Sequence, residues 1–121
     1  MLFRSGRRVV SQALVRAAGT IWTGDKPNEF YASGIRAAGG IAPPGNIGLG
    51  FSVRGPQMGV SMFGSLASPG TFGAHGAGTT LFWVDPERDI SFVGLMTGLM
   101  KTVDNLWRWQ KLSDIVLTAA I

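Results

Sequence analysis

Large apolar side chains alternate with small or polar residues in the middle of the chain, a period of two that is typical of a β-strand. The segment 47–54 shows this alternation most clearly. Its large residues are Ile47, Leu49, Phe51 and Val53. They are predicted to share one face of a strand, and the glycines between them leave the other face free for a neighbouring backbone.

Two further apolar runs predict a β-hairpin. Residues 78–84 form its first strand and residues 90–96 its second, and Pro86 suits the polar turn 85–89 between them. The whole of 46–100 is therefore predicted to consist of antiparallel strands. The charged side chains at the turn are interpreted as solvated turn residues rather than as an acid–base cluster. They are Asp85, Glu87, Arg88 and Asp89.

The first part of the chain predicts one helix followed by a long loop. In the region 1–19, Ser11 fits the N-cap of a short helix over 12–18 that ends at Gly19. The segment 20–45 is rich in glycine and proline and is predicted to be a turn-rich loop.

Apolar residues recur at spacings of three and four near the C-terminus, which predicts an amphipathic helix over 104–121 with Asp104 as its N-cap. The predicted apolar stripe consists of Leu106, Trp109, Leu112, Val116 and Ala120. Trp107 and Ile115 flank this stripe and broaden it, so that the helix needs a sheet to cover it. Packing of the helix across the hairpin predicts an α+β fold, an antiparallel sheet flanked by helices.

The composition fits a single partial domain over residues 1–121. Eighteen glycines and six prolines are many for a self-sufficient domain, whereas a hydrophobic content of 45% argues against disorder. The net charge is +4, and the excess lies near the N-terminus, in Arg4, Arg7, Arg8 and Arg16. Since the other basic residues are balanced by seven acidic ones, no nucleic-acid partner is predicted.

The residue types exclude several other classes of site. The chain has no cysteine and one histidine, so no metal site is predicted. No cofactor is expected, because the glycines do not follow a dinucleotide-binding pattern and Trp83, Trp107 and Trp109 are interpreted as core residues. The longest nearly apolar run, 92–100, is far shorter than the ~20 residues that span a bilayer, so no membrane span is predicted.

The segment 71–89 combines small residues, one histidine and a strand. It reads Thr-Phe-Gly-Ala-His-Gly-Ala-Gly-Thr-Thr-Leu-Phe-Trp-Val-Asp-Pro-Glu-Arg-Asp. This segment resembles the third active-site motif of the serine β-lactamase and penicillin-binding-protein superfamily, in its β-lactamase-related esterase and class C-like branch. In that family a Lys-Thr-Gly, His-x-Gly or Trp-Gly-Gly triplet opens the strand at the edge of the catalytic cleft.

The resemblance covers nearly the whole chain and is strongest from Gly48 to Gly98. The Gly-Leu-Gly-Phe run at 48–51 and the Trp-x-Asp-Pro-Glu-Arg-Asp turn at 83–89 are also similar to family features. The implied fold is the C-terminal portion of the β-lactamase/transpeptidase-like domain. Residues 1–11 also resemble a family segment, and this interpretation is favoured over an organellar transit peptide, which their arginines also match. The cytoplasm is therefore the favoured location, and organellar targeting stays open.

The resemblance places the site residues in the third-motif segment, 71–80. It implies a catalytic role for His75 and a backbone oxyanion donor at Ala77. The implied substrate-binding residues are Gly73, Ala74, Gly76 and Gly78. Two registers are open, because the triplet begins either at Ala74 or at His75. A lone histidine is also often a structural hydrogen-bonding residue, and that interpretation stays open.

The nucleophile motif of the family is missing. No serine is followed three positions later by lysine, and Tyr31 is followed by Ala32 and Ser33 rather than forming Tyr-x-Asn. The resemblance therefore implies the C-terminal segment of a serine hydrolase that transfers an acyl group to serine and hydrolyses an ester, amide or β-lactam, and that is inactive alone.

The implied partners are an acyl-type small-molecule substrate in the complete enzyme and either further copies of the chain or an N-terminal partner segment. Two alternatives remain open at this point. One is a non-catalytic binding or structural module that associates through an exposed sheet edge. The other is a small independent enzyme that uses His75 as its base.

Overall fold

The computed structural model describes residues 8–120, and within them helices and a four-stranded antiparallel sheet form an α+β fold, as predicted. The helices are α1 (Gln12–Ala18), α2 (Glu29–Ala37) and α3 (Thr102–Ala119). The strands are β1 (Ser52–Val53), β2 (Phe72–His75), β3 (Leu81–Asp85) and β4 (Ile90–Gly94), and they lie side by side in chain order.

Residues 1–7, which carry part of the proposed family resemblance and of the proposed targeting composition, lie outside the described residues. The helix predicted over 12–18 is present, and the Ser11 side chain accepts a hydrogen bond from the Leu14 N–H as its N-cap. None of the helices within residues 8–120 has the length and hydropathy of a membrane span.

The strand register separates the sheet into two faces. Gly73 lies opposite Trp83, and Trp83 lies opposite Phe92, so these three residues share one face. This face is covered by α2 and α3 and holds the main hydrophobic core. The opposite face carries Phe72 and Phe82, which pack around the ring of Phe51 at centroid distances of 5.7 and 6.0 Å.

The prediction of a strand over 47–54 is wrong for most of its length. Only Ser52–Val53 pairs with β2, and Ile47 makes an isolated bridge to Ser52. Gly50 has a φ of +80°, a left-handed conformation that turns the chain back on itself instead of extending it. The alternation of large and small residues therefore reflects a tight loop with glycines at its turns.

The predicted hairpin is present with shorter strands, since β3 begins at Leu81 rather than at 78 and β4 ends at Gly94. The prediction of a fully solvated turn is wrong for Asp85, whose side chain is 0% exposed. Its carboxylate accepts hydrogen bonds from the backbone N–H groups of Ser68, Glu87 and Arg88 at 3.0 to 3.1 Å. Burial raises the pKa of Asp85, but these hydrogen bonds outweigh burial and hold the pKa below its usual value.

The prediction that 20–45 is only loop is also wrong, because α2 lies inside it. The Asn28 side chain caps α2 by accepting a hydrogen bond from the Phe30 N–H at 3.1 Å. The buried residues are Tyr31, Ala32 and Ile35. Gly34 faces α3, where a Cβ would lie 2.5 Å from the Val103 side chain. Glycine is a poor helix former, but here its lack of a side chain allows the two helices to pack closely.

Helix α3 packs across the hairpin as predicted, but its N-terminus and its buried face differ from the prediction. It begins at Thr102, so Asp104 lies in its first turn and does not cap it. Its buried residues are Asn105, Leu106, Trp109, Ser113 and Leu117. Trp107 and Ile115 are exposed, so the buried face is narrower than predicted and includes a serine. That serine is buried because its hydroxyl accepts a hydrogen bond from Trp83 Nε1 at 2.9 Å and donates one to a backbone carbonyl.

Candidate functional site

Strand β2 ends in a tight turn that carries three of the six site residues predicted from the sequence. The Gly76 N–H donates to the Thr80 carbonyl at 2.9 Å, and the Thr79 N–H donates to the Gly76 carbonyl at 3.2 Å. Thr79 has a φ of +72°, which matches a three-residue hairpin loop in which a type I turn is followed by a left-handed residue. We call residues 76–80 the β2–β3 turn.

The centre of the β2–β3 turn is open. Gly76, Ala77 and Gly78 are exposed, and a Cβ placed on Gly78 would meet nothing within 4 Å. Within residues 8–120 the N–H of Ala77 donates no hydrogen bond to a protein acceptor. The turn therefore presents a free backbone donor between two residues without side chains, a geometry that suits an anionic or carbonyl oxygen.

The structure separates Gly73 and Ala74 from this open surface. Gly73 is buried in the sheet, where a Cβ would collide with the Phe82 carbonyl oxygen and lie 2.7 Å from the Trp83 Cα. Its small size is explained by close packing against β3. Ala74 is half-buried and points to the opposite face of the sheet, where it pairs with Phe82.

His75 is the last residue of β2 and is half-buried among aromatic rings. Its Nε2 is hydrogen-bonded with the hydroxyl of Tyr31 on α2. Its ring centroid lies 4.4 Å from that of Trp109 and 6.4 Å from that of Phe30. Its Nδ1 is buried and has no hydrogen-bond partner among the described residues.

Burial sets the protonation of both partners. It lowers the pKa of His75, an effect that the Gly76 backbone partly offsets, and it raises the pKa of Tyr31 to about 12. At neutral pH the contact therefore joins an uncharged imidazole to an uncharged phenol. Because neither ring nitrogen is free at the surface, the geometry favours a hydrogen-bonding role for His75 over that of a base acting directly on a substrate.

Sequence reasoning missed the role of Tyr31. From the sequence, Tyr31 is considered only for the absence of a Tyr-x-Asn motif, and a loop is predicted where α2 lies. The available signal was Asn28 as an N-cap followed by apolar residues spaced for one helical face. That pattern predicts Tyr31 on the buried face of the helix, but it contains nothing that identifies His75 as the partner.

A comparison of folds identifies a relative of this architecture. The structure superposes on the crystal structure of a β-lactamase from Mycobacterium bovis with a TM-score of 0.71 and 26% sequence identity, over 93% of this chain. The chain has a β-lactamase-like fold. It spans 39% of the length of that β-lactamase, consistent with the C-terminal portion that the sequence implies. No family model and no curated protein matches the sequence.

The match confirms the resemblance to the β-lactamase superfamily and relates the chain to its hydrolases. Within this β-lactamase-like fold, the β2–β3 turn brings together Gly76, Ala77 and Gly78 at an open surface, with His75 beneath it in the aromatic core. No cluster of three or more potential metal-ligating side chains occurs in the part of the chain that the structure describes. Backbone donors and small residues are the chemical groups that this surface offers.

Proposed function

We propose that the chain forms one wall of the acyl site of a β-lactamase-like serine hydrolase, with the nucleophile supplied by another segment or chain. The observation that carries the proposal is the unpaired N–H of Ala77, set at the open β2–β3 turn of a fold that matches a β-lactamase. In the proposed reaction a serine hydroxyl of that other segment gives its proton to a base there and attacks the carbonyl carbon of an ester, amide or β-lactam. The C–O or C–N bond to the leaving group then breaks, the leaving oxygen or nitrogen takes up the proton, and water hydrolyses the acyl-enzyme. The negative charge that develops on the carbonyl oxygen is stabilised by the Ala77 N–H.

Gly76 and Gly78 have a steric role in this proposal. Without side chains they let the substrate lie against the backbone, close enough for a hydrogen bond to form. His75 supports the turn from below through its contacts with Tyr31 and Trp109 and does not touch the substrate. Since no serine of the chain has a lysine three positions later, we expect the chain alone to show no turnover of nitrocefin or p-nitrophenyl acetate above a denatured control.

The oxyanion donor is tested by removing one N–H. Ala77 occupies the second position of the type I turn, where proline is favoured, so Ala77→Pro deletes the donor and keeps the turn. The assay uses a chimera in which this chain replaces the matched part of the M. bovis β-lactamase, with Ala77→Ser as the control that keeps the N–H. We expect Ala77→Pro to slow acylation by roughly 10²–10³-fold at an unchanged melting temperature. Equal acylation rates in two folded variants would contradict the proposal.

One observation favours a second candidate, a module that associates through its sheet edge. Strand β4 lies at the edge of the sheet, and the apolar side chains of Val93 and Leu95 are 63% and 81% exposed. An exposed apolar strand edge is a site for pairing with another chain. Sedimentation of the protein at tens of micromolar tests this candidate, which requires a dimer or a larger species. A monomer of 12.8 kDa would contradict it.

A further inference from the structure

The hydrogen bond between Tyr31 and His75 connects two parts of the fold. Within residues 8–120 it is the one hydrogen bond that joins α2 to the sheet. Helix α2 also packs into the hydrophobic core through Tyr31 and Ile35, and Gly34 packs against Val103 of α3. The Tyr31–His75 pair is therefore the polar contact that positions α2 relative to the β2–β3 turn, in addition to this apolar packing.

The surroundings of His75 favour a neutral imidazole. Its neighbours are the rings of Tyr31 and Trp109, with Phe30 further away, and its Nδ1 is buried without an acceptor. Protonation would place an N–H donor on each ring nitrogen, and the Gly76 backbone stabilises this charged form only in part. An imidazolium would also be a half-buried charge without a carboxylate partner among the described residues.

The charged groups of the neighbouring elements do not compensate this charge. On α2, Glu29 and Arg36 are exposed, and the guanidinium Nη1 of Arg36 lies 3.9 Å from Oε2 of Glu29. On α3, Asp104 is exposed and Arg108 bonds to the sulfur of Met100. On β3, the residue opposite His75 is a leucine. Tyr31 is thus the titratable group in direct contact with His75 among the described residues.

We propose that protonation of His75 releases α2 from the sheet, so that the Tyr31–His75 contact is a pH-sensitive latch beside the β2–β3 turn. The attraction of an imidazolium to the ring of Trp109 opposes release. Burial of the ring favours release, since it lowers the pKa of His75 by more than the Gly76 backbone raises it. The inference concerns the chain itself and does not depend on the proposed hydrolase function.

The direction of the pH dependence follows from the lowered pKa. In the released state His75 titrates near ~6.5, whereas in the latched state it holds its proton less tightly. The latch is therefore fully closed above about pH 6.5 and weakens as the pH falls from there towards the lower pKa of the latched state. Its equilibrium constant changes by up to about tenfold for each pH unit within this window.

The test measures hydrogen–deuterium exchange of the full chain by mass spectrometry at about pH 7.5 and about pH 5, after correction for the intrinsic exchange rate. His75 is the one histidine of the chain, and a variant at this position assigns a transition in this pH range to it. We expect protection of residues 29–37 to fall about tenfold at the lower pH, while α3 keeps its protection. His75→Gln keeps a hydrogen-bonding side chain that does not titrate, and it should remove the pH dependence.

A second variant separates the latch from a general effect of acid. Tyr31→Phe removes the hydroxyl and keeps the ring, so we expect α2 to exchange fast at both pH values. Exchange of α3 in each sample reports whether the variant is folded. The proposal is wrong if α2 of the wild-type chain is equally protected at both pH values, or if α2 and α3 lose protection together. It is also wrong if His75→Gln retains the pH dependence.

Discussion

Removal of the Asp85 carboxylate is expected to destabilise the fold strongly, because this one side chain holds three backbone donors. The N–H of Ser68 is buried, and Asp85→Ala leaves it without its acceptor at a cost of about 1–3 kcal/mol. The N–H groups of Glu87 and Arg88 belong to exposed residues and can turn to water, so each loses about 1 kcal/mol. We therefore expect Asp85→Ala to lower the free energy of unfolding by about 3–5 kcal/mol.

The pH dependence of this loss identifies the carboxylate as its cause. The pKa of Asp85 is lowered in the folded state, so its contribution is complete above the unfolded pKa of about 3.9 and is lost as the pH falls from there through the folded pKa. Asp85→Asn keeps one acceptor oxygen and should lose about half as much stability. Urea unfolding at pH 7 and at pH 3, followed by circular dichroism, measures both variants against the wild-type chain.

Two results would refute this reasoning about Asp85. One is a loss below about 1 kcal/mol for Asp85→Ala at pH 7, which would mean that water replaces the carboxylate at the buried Ser68 N–H. The other is a difference between Asp85→Asn and the wild-type chain that stays the same from pH 7 to pH 3. In that case the loss would come from the shape of the side chain and not from its charge.

Four further substitutions test packing and the open turn. Gly73→Ala should cost at least ~2 kcal/mol because its Cβ collides with β3, whereas Gly78→Ala should change stability by less than ~0.5 kcal/mol; equal melting temperatures would contradict the packing argument. Ser113→Ala should cost about 1–3 kcal/mol because it leaves the indole N–H of Trp83 unsatisfied, and a smaller change in urea unfolding would be inconsistent with this bond. Gly76→Val, at an exposed position, should preserve the melting temperature and block labelling of the folded chimera by a fluorescent penicillin; normal labelling would show that this residue does not line the site.

The elements that the sequence predicted correctly are those whose determinants are local. Ser11 caps α1 by a hydrogen bond within one turn, and the strands of the hairpin are joined by a short polar turn around Pro86. The open Gly76–Gly78 surface also follows from residue size alone. In each case the residues that decide the structure lie within a few positions of one another.

The incorrect predictions concern residues whose role depends on distant parts of the chain. Gly34 weakens α2 as an isolated helix and is required by its contact with Val103. Ser113 occupies the buried face of α3 because Trp83 donates a hydrogen bond to it across 30 positions. The pairing of Tyr31 with His75 spans 44 positions and brings together two elements that no local pattern relates.

The indole of Trp109 also donates a hydrogen bond to the backbone carbonyl of Thr79, at 3.2 Å. This bond connects α3 to the β2–β3 turn without using the side chain at position 79. The Thr79 side chain is itself buried and its φ is positive, so a replacement at 79 keeps this connection only if it is small and accepts the left-handed conformation. Engineering of the turn should accordingly limit residue 79 to glycine or another small residue of this kind and keep Trp109 fixed.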